Sequence, residues 1–141
     1  MIQKYIRGRE ITCGVLEKNG QAFALPPTEI RPKTSDWFDY KAKYTPGASE
    51  EITPAALSKA QTKTIQDMAL QAHNLLGCRG MSRSDFIFDG KKFWILEINT
   101  IPGLTATSLL PQEAKAAGIS FEGMLDLVIA ATFHVDKSVI R

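Results

Sequence analysis

Cysteine is scarce in this chain. Among 141 residues there are only Cys13 and Cys78, and neither sits in a C-x-x-C pair. A disulfide framework needs more cysteines in a shorter chain, so both read as free thiols in a reducing compartment. An excess of one charge sign is scarce too: 17 Lys and Arg stand against 15 Asp and Glu, a formal +2. The two signs are interleaved, so the pI of about 8.6 reflects no basic stripe of the kind that nucleic-acid binding needs. No apolar run approaches the roughly 18 residues of a membrane span. The start, Met1 to Arg7, lacks the charged-then-apolar pattern of a secretory signal. The expected compartment is the cytoplasm, with neither nucleic acid nor membrane as partner. Internal repeats and low-complexity tracts are absent as well.

What is there suits one globular domain: 44% hydrophobic and 23% charged residues, in a length that can bury one core. The first third reads as β-structure. Strands are expected over Ile2–Ile6 and Glu10–Leu16, followed by the hairpin dipeptide Asn19-Gly20. The runs Phe23–Leu25 and Thr28–Ile30 return across the sheet, and Pro26-Pro27 between them predicts an edge strand or a bulge. Residues 32–53 read as a long loop holding Trp37, Phe38, Tyr40, Lys41 and Lys43, and loops of that length are often functional. Thr53 as N-cap and Pro54 at the first helical position predict a helix ending at Gly77. Its expected buried face is Leu57, Ala60, Thr64, Ile65, Met68, Ala69, Ala72, Leu75 and Leu76. A hairpin follows, Ser82–Phe88 and Lys92–Ile98 about Asp89-Gly90, and strict alternation turns Phe86, Phe88, Trp94, Leu96 and Ile98 to the core. Ser108 caps a helix that stops at Gly118. Ser120 caps a last one with a stripe of Phe121, Met124, Leu125, Val128, Ile129, Thr132 and Phe133. The fold class is thus α+β, an antiparallel sheet packed by about three helices.

The other face of the hairpin carries the chemistry. It holds Asp85, Ile87, Phe93, Ile95, Glu97 and Asn99. Glu97 and Asn99 are two apart and point the same way, and an odd-length turn would set Asp85 roughly opposite Glu97. Three hard oxygen donors then converge, a set suited to Mg²⁺. Arg83, two residues before Asp85, belongs among carboxylates if phosphate oxygens sit there too. The alternative is a plainly solvated face. Against it, Ile87, Phe93 and Ile95 share that face, so it should be covered, and covered carboxylates need a cation or donors. Downstream, Gly103 lets a ligand approach the backbone, and its N–H could donate to a developing oxyanion. Ser108 opens a helix, and helix N-termini attract anions. His73, His134 and Cys78 read as packing or helix-end residues rather than ligands.

The segments Gly77-Cys78-Arg79-Gly80-Met81-Ser82-Arg83-Ser84-Asp85 and Leu96-Glu97-Ile98-Asn99-Thr100-Ile101-Pro102-Gly103-Leu104-Thr105-Ala106-Thr107-Ser108 closely resemble carboxy-terminal motifs of the D-alanine–D-alanine ligase family. Gly8-Arg9-Glu10-Ile11-Thr12 resembles its G-x-E-[FIL]-T strand, and Tyr40-Lys41-Ala42-Lys43-Tyr44 its Y-x-x-K-Y loop. Order and spacing agree along nearly the whole chain. The resemblance implies the second subdomain of an ATP-grasp fold, with residues 1–141 the carboxy-terminal domain of a longer ligase. It implies ATP and Mg²⁺ (or Mn²⁺) as cofactors and D-alanine as substrate, joined through an acyl phosphate for peptidoglycan. By the same resemblance Asp85, Glu97 and Asn99 ligate the metal and Arg83 stabilises the transferred phosphoryl group. Gly103 donates to the tetrahedral intermediate, and Ser108 with the Leu109 N–H holds the second D-alanine. Lys43 and Tyr44 close over the γ-phosphate, Glu10 binds the ribose, and Gln3, Lys4, Tyr5 and Ile6 line the adenine hinge.

Departures from the family pattern are Gln3, where Glu is frequent, and Ser82 and Ser84 beside Arg83; none removes a metal ligand. Family members run to more than twice this length. The amino-terminal part that they add carries the first D-alanine site and the phosphate-binding lysines, and the whole enzyme is expected as a homodimer. Alternatives left open are a D-lactate or D-serine version, another ATP-grasp carboxylate–amine ligase, and a non-catalytic nucleotide-binding module.

Overall fold

A computed structural model of the chain describes residues 2–32 and 49–133. Most of the expected loop, including Trp37, Phe38, Tyr40, Lys41, Lys43 and Tyr44, lies outside the described residues, as does His134.

One antiparallel sheet organises the domain. Strand β1 (Arg9–Lys18) turns at Asn19-Gly20, both at positive φ, into β2 (Gln21–Ala24). β1 is long enough to take a second partner on the same edge, β3 (Thr28–Pro32), once Pro26-Pro27 has broken the returning chain. β4 (Ser49–Ile52) pairs with β3, inside what the sequence reads as loop. On the other edge of β1 lies β5 (Met81–Phe88), followed by β6 (Phe93–Asn99), so the order is β4-β3-β1-β5-β6 with β2 beside β1. Residues 2–7 form no strand, contrary to the expectation for Ile2–Ile6.

Each face of the sheet has its own core. Helix α1 (Lys59–Leu75) covers one face, where Ile65 and Ala69 pack with Ile11, Cys13, Val15, Phe86, Phe88 and Phe93. Helices α2 (Leu109–Ala116) and α3 (Phe121–Phe133) cover one end of the other face, where Leu110, Ala114 and Met124 pack with Leu16 and Leu25. No single helix among the described residues is long and apolar enough to cross a membrane.

Four further expectations are corrected. The first helix does not start at Thr53-Pro54, whose peptide bond is cis. It starts after Ser58, where Ser58 Oγ accepts the Gln61 N–H and the Gln61 amide oxygen accepts the Ser58 N–H, a complete capping box. Its buried line is Ile65, Ala69 and His73, and Ala60, Thr64, Leu75 and Leu76, expected on that face, are exposed. In the last helix the buried line is Met124 and Ala131, with Phe121, Ile129 and Phe133 exposed. Finally, alternation along β6 is interrupted. Asp85 pairs with Glu97 but Phe86 pairs with Ile95, a bulge that leaves Leu96 as the extra residue. The bulge moves Phe93 into the core, stacked on Phe88 at 4.6 Å, while Trp94 faces the other way and Leu96 is exposed.

Candidate functional site

The bulge decides which β6 side chains meet β5. On its far side the register is Asp85 opposite Glu97 and Arg83 opposite Asn99. Directly opposed residues share a face, so these four side chains line one patch. β1 extends the patch: Thr12 lies opposite Asp85, Gly14 opposite Arg83, and Glu10 opposite Ile87. Phe93 and Ile95, expected on this face, lie on the opposite one.

Asp85 is nearly buried and its carboxylate is fully engaged. Oδ1 accepts from Arg83 Nε at 2.9 Å and from the Thr12 hydroxyl at 2.7 Å, and Oδ2 accepts from Arg83 Nη2 at 3.0 Å. The fork-to-fork pair holds both groups without help from solvent. Burial works against the Arg83 charge, but the Asp85 carboxylate, with Glu113 and Glu97 beyond it, raises its pKa on balance. Glu97 is exposed, and Asn99 Oδ1 accepts the Ile101 N–H at 3.1 Å, which turns the chain out of the strand.

The loop that follows folds back on its own helix start. The Ser108 hydroxyl does not cap α2; it accepts the Thr105 N–H at 3.1 Å and bonds the Thr105 hydroxyl at 2.8 Å. Gly103 lies against it, because a Cβ there would come within 2.8 Å of Ser108 Oγ. Gly103, Ser108 and the first N–H groups of α2 therefore converge beyond the end of β6. At the other end of β1, Gly8 passes so close to β5 that a Cβ would sit 2.4 Å from the Phe88 carbonyl oxygen. That contact explains the glycine two residues before Glu10. Gln3, Lys4 and Tyr5 are exposed and Ile6 is half-buried, in the extended lead-in to β1.

Two residues in or behind this patch escape sequence reasoning. Thr12 belongs to the recognised strand motif, yet its bond to Asp85 depends on the β1–β5 register. Glu113 is completely buried, and Oε2 accepts the Gly14 N–H at 2.6 Å. Burial pushes its carboxyl well above the ordinary carboxylate range, against the Gly14 N–H, the Thr28 hydroxyl and the Arg83 charge. The signal was present: Glu113 follows Leu110 by three and precedes Ala114, on the apolar side of a short helix.

Among the described residues no cluster of three His, Cys, Asp or Glu could hold a metal ion. The donors here are two carboxylates and an amide. That sparse oxygen set fits Mg²⁺, which completes its shell with water and phosphate oxygens rather than a protein cage. Arg83 beside it is a cation of the kind that pairs with phosphate oxygens.

The family described as "D-ala D-ala ligase C-terminus" matches residues 1–130. The D-alanine–D-alanine ligase of Syntrophobacter fumaroxidans is 55% identical over 130 residues, 92% of this chain and 42% of the relative. That of Desulfotalea psychrophila is 52% identical over 140 residues, 97% of this chain and 43% of the relative. Among solved structures, the Bacillus anthracis D-alanine–D-alanine ligase complexed with ATP superposes with a TM-score of 0.77 at 34% identity. It covers 96% of this chain and 43% of its own. The VanG D-Ala:D-Ser ligase of Enterococcus faecalis gives 0.77 at 36% identity, covering 91% and 37%. The chain spans about two fifths of the length of these relatives.

Proposed function

The chain belongs to the D-alanine–D-alanine ligase family, in its carboxy-terminal part, and from that premise we propose that it supplies the metal, phosphoryl and acceptor side of an ATP-dependent ligase joining two D-alanines. The carrying observation is the register that opposes Asp85 to Glu97 and Arg83 to Asn99 on one face. Bound Mg·ATP would supply a phosphoryl group that turns one D-alanine carboxylate into an acyl phosphate, a far better electrophile.

The side chains do the rest. Asp85, Glu97 and Asn99 would hold Mg²⁺ (or Mn²⁺), which would offset charge on the phosphates. Arg83, beside Asp85, stabilises the transferred phosphoryl group by offsetting the charge of its oxygens. The Gly103 N–H donates to the oxyanion formed when the second amine attacks. Ser108 and the Leu109 N–H orient the acceptor carboxylate at the start of α2. Glu10 binds the ribose, and Gln3, Lys4, Tyr5 and Ile6 line the adenine site. Lys43 and Tyr44 act over the γ-phosphate. In this reading residues 1–141 are the carboxy-terminal domain of a cytoplasmic, homodimeric enzyme of peptidoglycan synthesis, and its amino-terminal part completes the first D-alanine site.

The test is phosphate release by the complete polypeptide that carries this chain, with ATP and Mg²⁺, with and without D-alanine. D-Alanine-dependent release is expected. Glu97→Gln should cut turnover by on the order of 100-fold, since it removes a formal charge from an Mg²⁺ site. Near-normal turnover of that variant at saturating Mg²⁺ would overturn the metal assignment. The similarity to a D-Ala:D-Ser ligase makes D-serine the second acceptor to assay, with D-lactate beside it.

A further inference from the structure

We infer that Glu113 is a positioning residue for the acceptor: its carboxyl ties the helix that begins at Ser108 to β1 at the strand position beside Arg83. This rests on the reading of Ser108 and Leu109 as the acceptor-carboxylate site.

Three observations carry it. β1 changes partner from β2 to β3 around Gly14, and there the Gly14 N–H turns to Glu113 Oε2 at 2.6 Å. Glycine leaves room for this contact, because a Cβ at Gly14 would lie 2.5 Å from Glu113 Oε2 and 2.5 Å from Leu110 Cδ1, and both side chains would have to shift. Gly14 is also the residue directly opposite Arg83 on β5. Glu113 follows Leu109 by four residues, one helical turn along the same side of α2. The bond therefore sets how far the first N–H groups of α2 stand from Arg83 and Asp85. That spacing governs whether an acceptor amine lines up with the acyl phosphate.

Packing alone does not account for the carboxyl. Glu113 is fully buried, and its Oε1 meets no hydrogen-bond partner of good geometry. A buried polar atom left unpaired costs stability that a leucine of similar volume would avoid. What leucine would lose is the bond to Gly14.

The test uses steady-state kinetics of the complete ligase. Glu113→Leu should raise the KM for acceptor D-alanine about tenfold or more, with the KM for ATP within about twofold. Glu113→Gln keeps an oxygen for the Gly14 N–H and should restore the acceptor KM. Should the leucine variant not fold, Glu113→Asp reads the same effect, since one methylene fewer stretches the bond or draws in the helix. An unchanged acceptor KM, equal shifts for ATP and acceptor, or failure of glutamine to restore binding would each overturn the inference. Ser108→Ala is the control on the underlying reading. If it leaves the acceptor KM unchanged, the acceptor site itself is misassigned and Glu113 loses that role. The tether is then judged by hydrogen exchange at the Gly14 amide, which Glu113→Leu should accelerate and Glu113→Gln should not.

Discussion

Glu29 carries two guanidinium groups on one carboxylate. Arg9 and Arg31 each donate two hydrogen bonds to it, at 2.6–3.0 Å. The Arg9 hydrogen bonds first, and then those of Arg31 with the charges of both arginines, lower its pKa from the ordinary 4.5 to about 2, against the desolvation that opposes ionisation. The native state then binds fewer protons here than the unfolded chain does. The stability that Glu29 contributes is fully present above the ordinary value and is lost as pH falls from about 4.5 toward about 2. Both arginines reach solvent, so screening keeps the effect modest. Glu29→Gln should lower the melting temperature at pH 7 by roughly 2–6 °C, and the gap from the parent should close by about pH 2. Thermal melts across that range check it; a gap that stays constant with pH would mean that Glu29 acts through packing. Arg9 lies one residue before Glu10 yet points to the opposite face, so this cluster supports the frame rather than the patch.

At the scale of elements, the start of α1 shows how a local signal can mislead. Thr53-Pro54 carries the right residues for a helix start. Instead the Thr53 hydroxyl bonds the Thr28 hydroxyl at 2.7 Å, and the Ala55 N–H bonds the Pro27 carbonyl at 2.7 Å, which ties this segment to the sheet. The helix waits for the next cap, four residues after Pro54. Ser58→Ala should cost about 1 kcal/mol, and Ser58→Asp, which can still accept the Gln61 N–H, should cost little. Urea unfolding checks both; equal losses would show that the serine stabilises by something other than capping. His73, on the same helix, is fully buried with Nδ1 2.7 Å from the Ser82 hydroxyl and Nε2 3.4 Å from Glu17. That arrangement bears out its reading as a packed residue and uses Ser82, one of the departures from the family pattern, as its partner.

The whole molecule presents its candidate site at an open edge. β6 closes the described sheet on one side, and Ile95, Leu96 and Ile101 there are 47%, 51% and 79% exposed. The chain also spans about two fifths of its relatives, and on the proposed function the groups that orient the first D-alanine belong to the rest of the complete polypeptide. Holding reactants in line can be worth roughly 7–11 kcal/mol of barrier, and an open site leaves its charges screened by water. The 141-residue chain on its own should therefore fold but form no dipeptide from D-alanine, ATP and Mg²⁺. Circular dichroism with a product assay checks both halves. Dipeptide formation at the rate of the intact enzyme would show the active site to be complete within this chain.

Local and periodic information was enough for the sheet's main strands, the Asn19-Gly20 and Asp89-Gly90 turns, the helix stops at Gly77 and Gly118, and the Ser120 cap. Each depends on backbone preferences of a few adjacent residues, and short range is where sequence speaks most directly. The Arg83, Asp85, Glu97 and Asn99 patch was legible for a related reason. Alternation along each strand puts Arg83 with Asp85 and Glu97 with Asn99, although the turn pairs Phe88 with Phe93 and it is the bulge that brings Glu97 opposite Asp85. The tertiary structure decided the rest. It placed the bulge at Leu96, which exchanges Phe93 and Trp94 between faces and sets Glu97 opposite Asp85. It moved the α1 start to Ser58, because sheet contacts hold Thr53 to Ala55. It brought Glu113 to Gly14 across 99 residues of sequence. Bulge position, competition for backbone partners and long-range contact all depend on which surfaces meet, and no window of neighbouring residues contains that information.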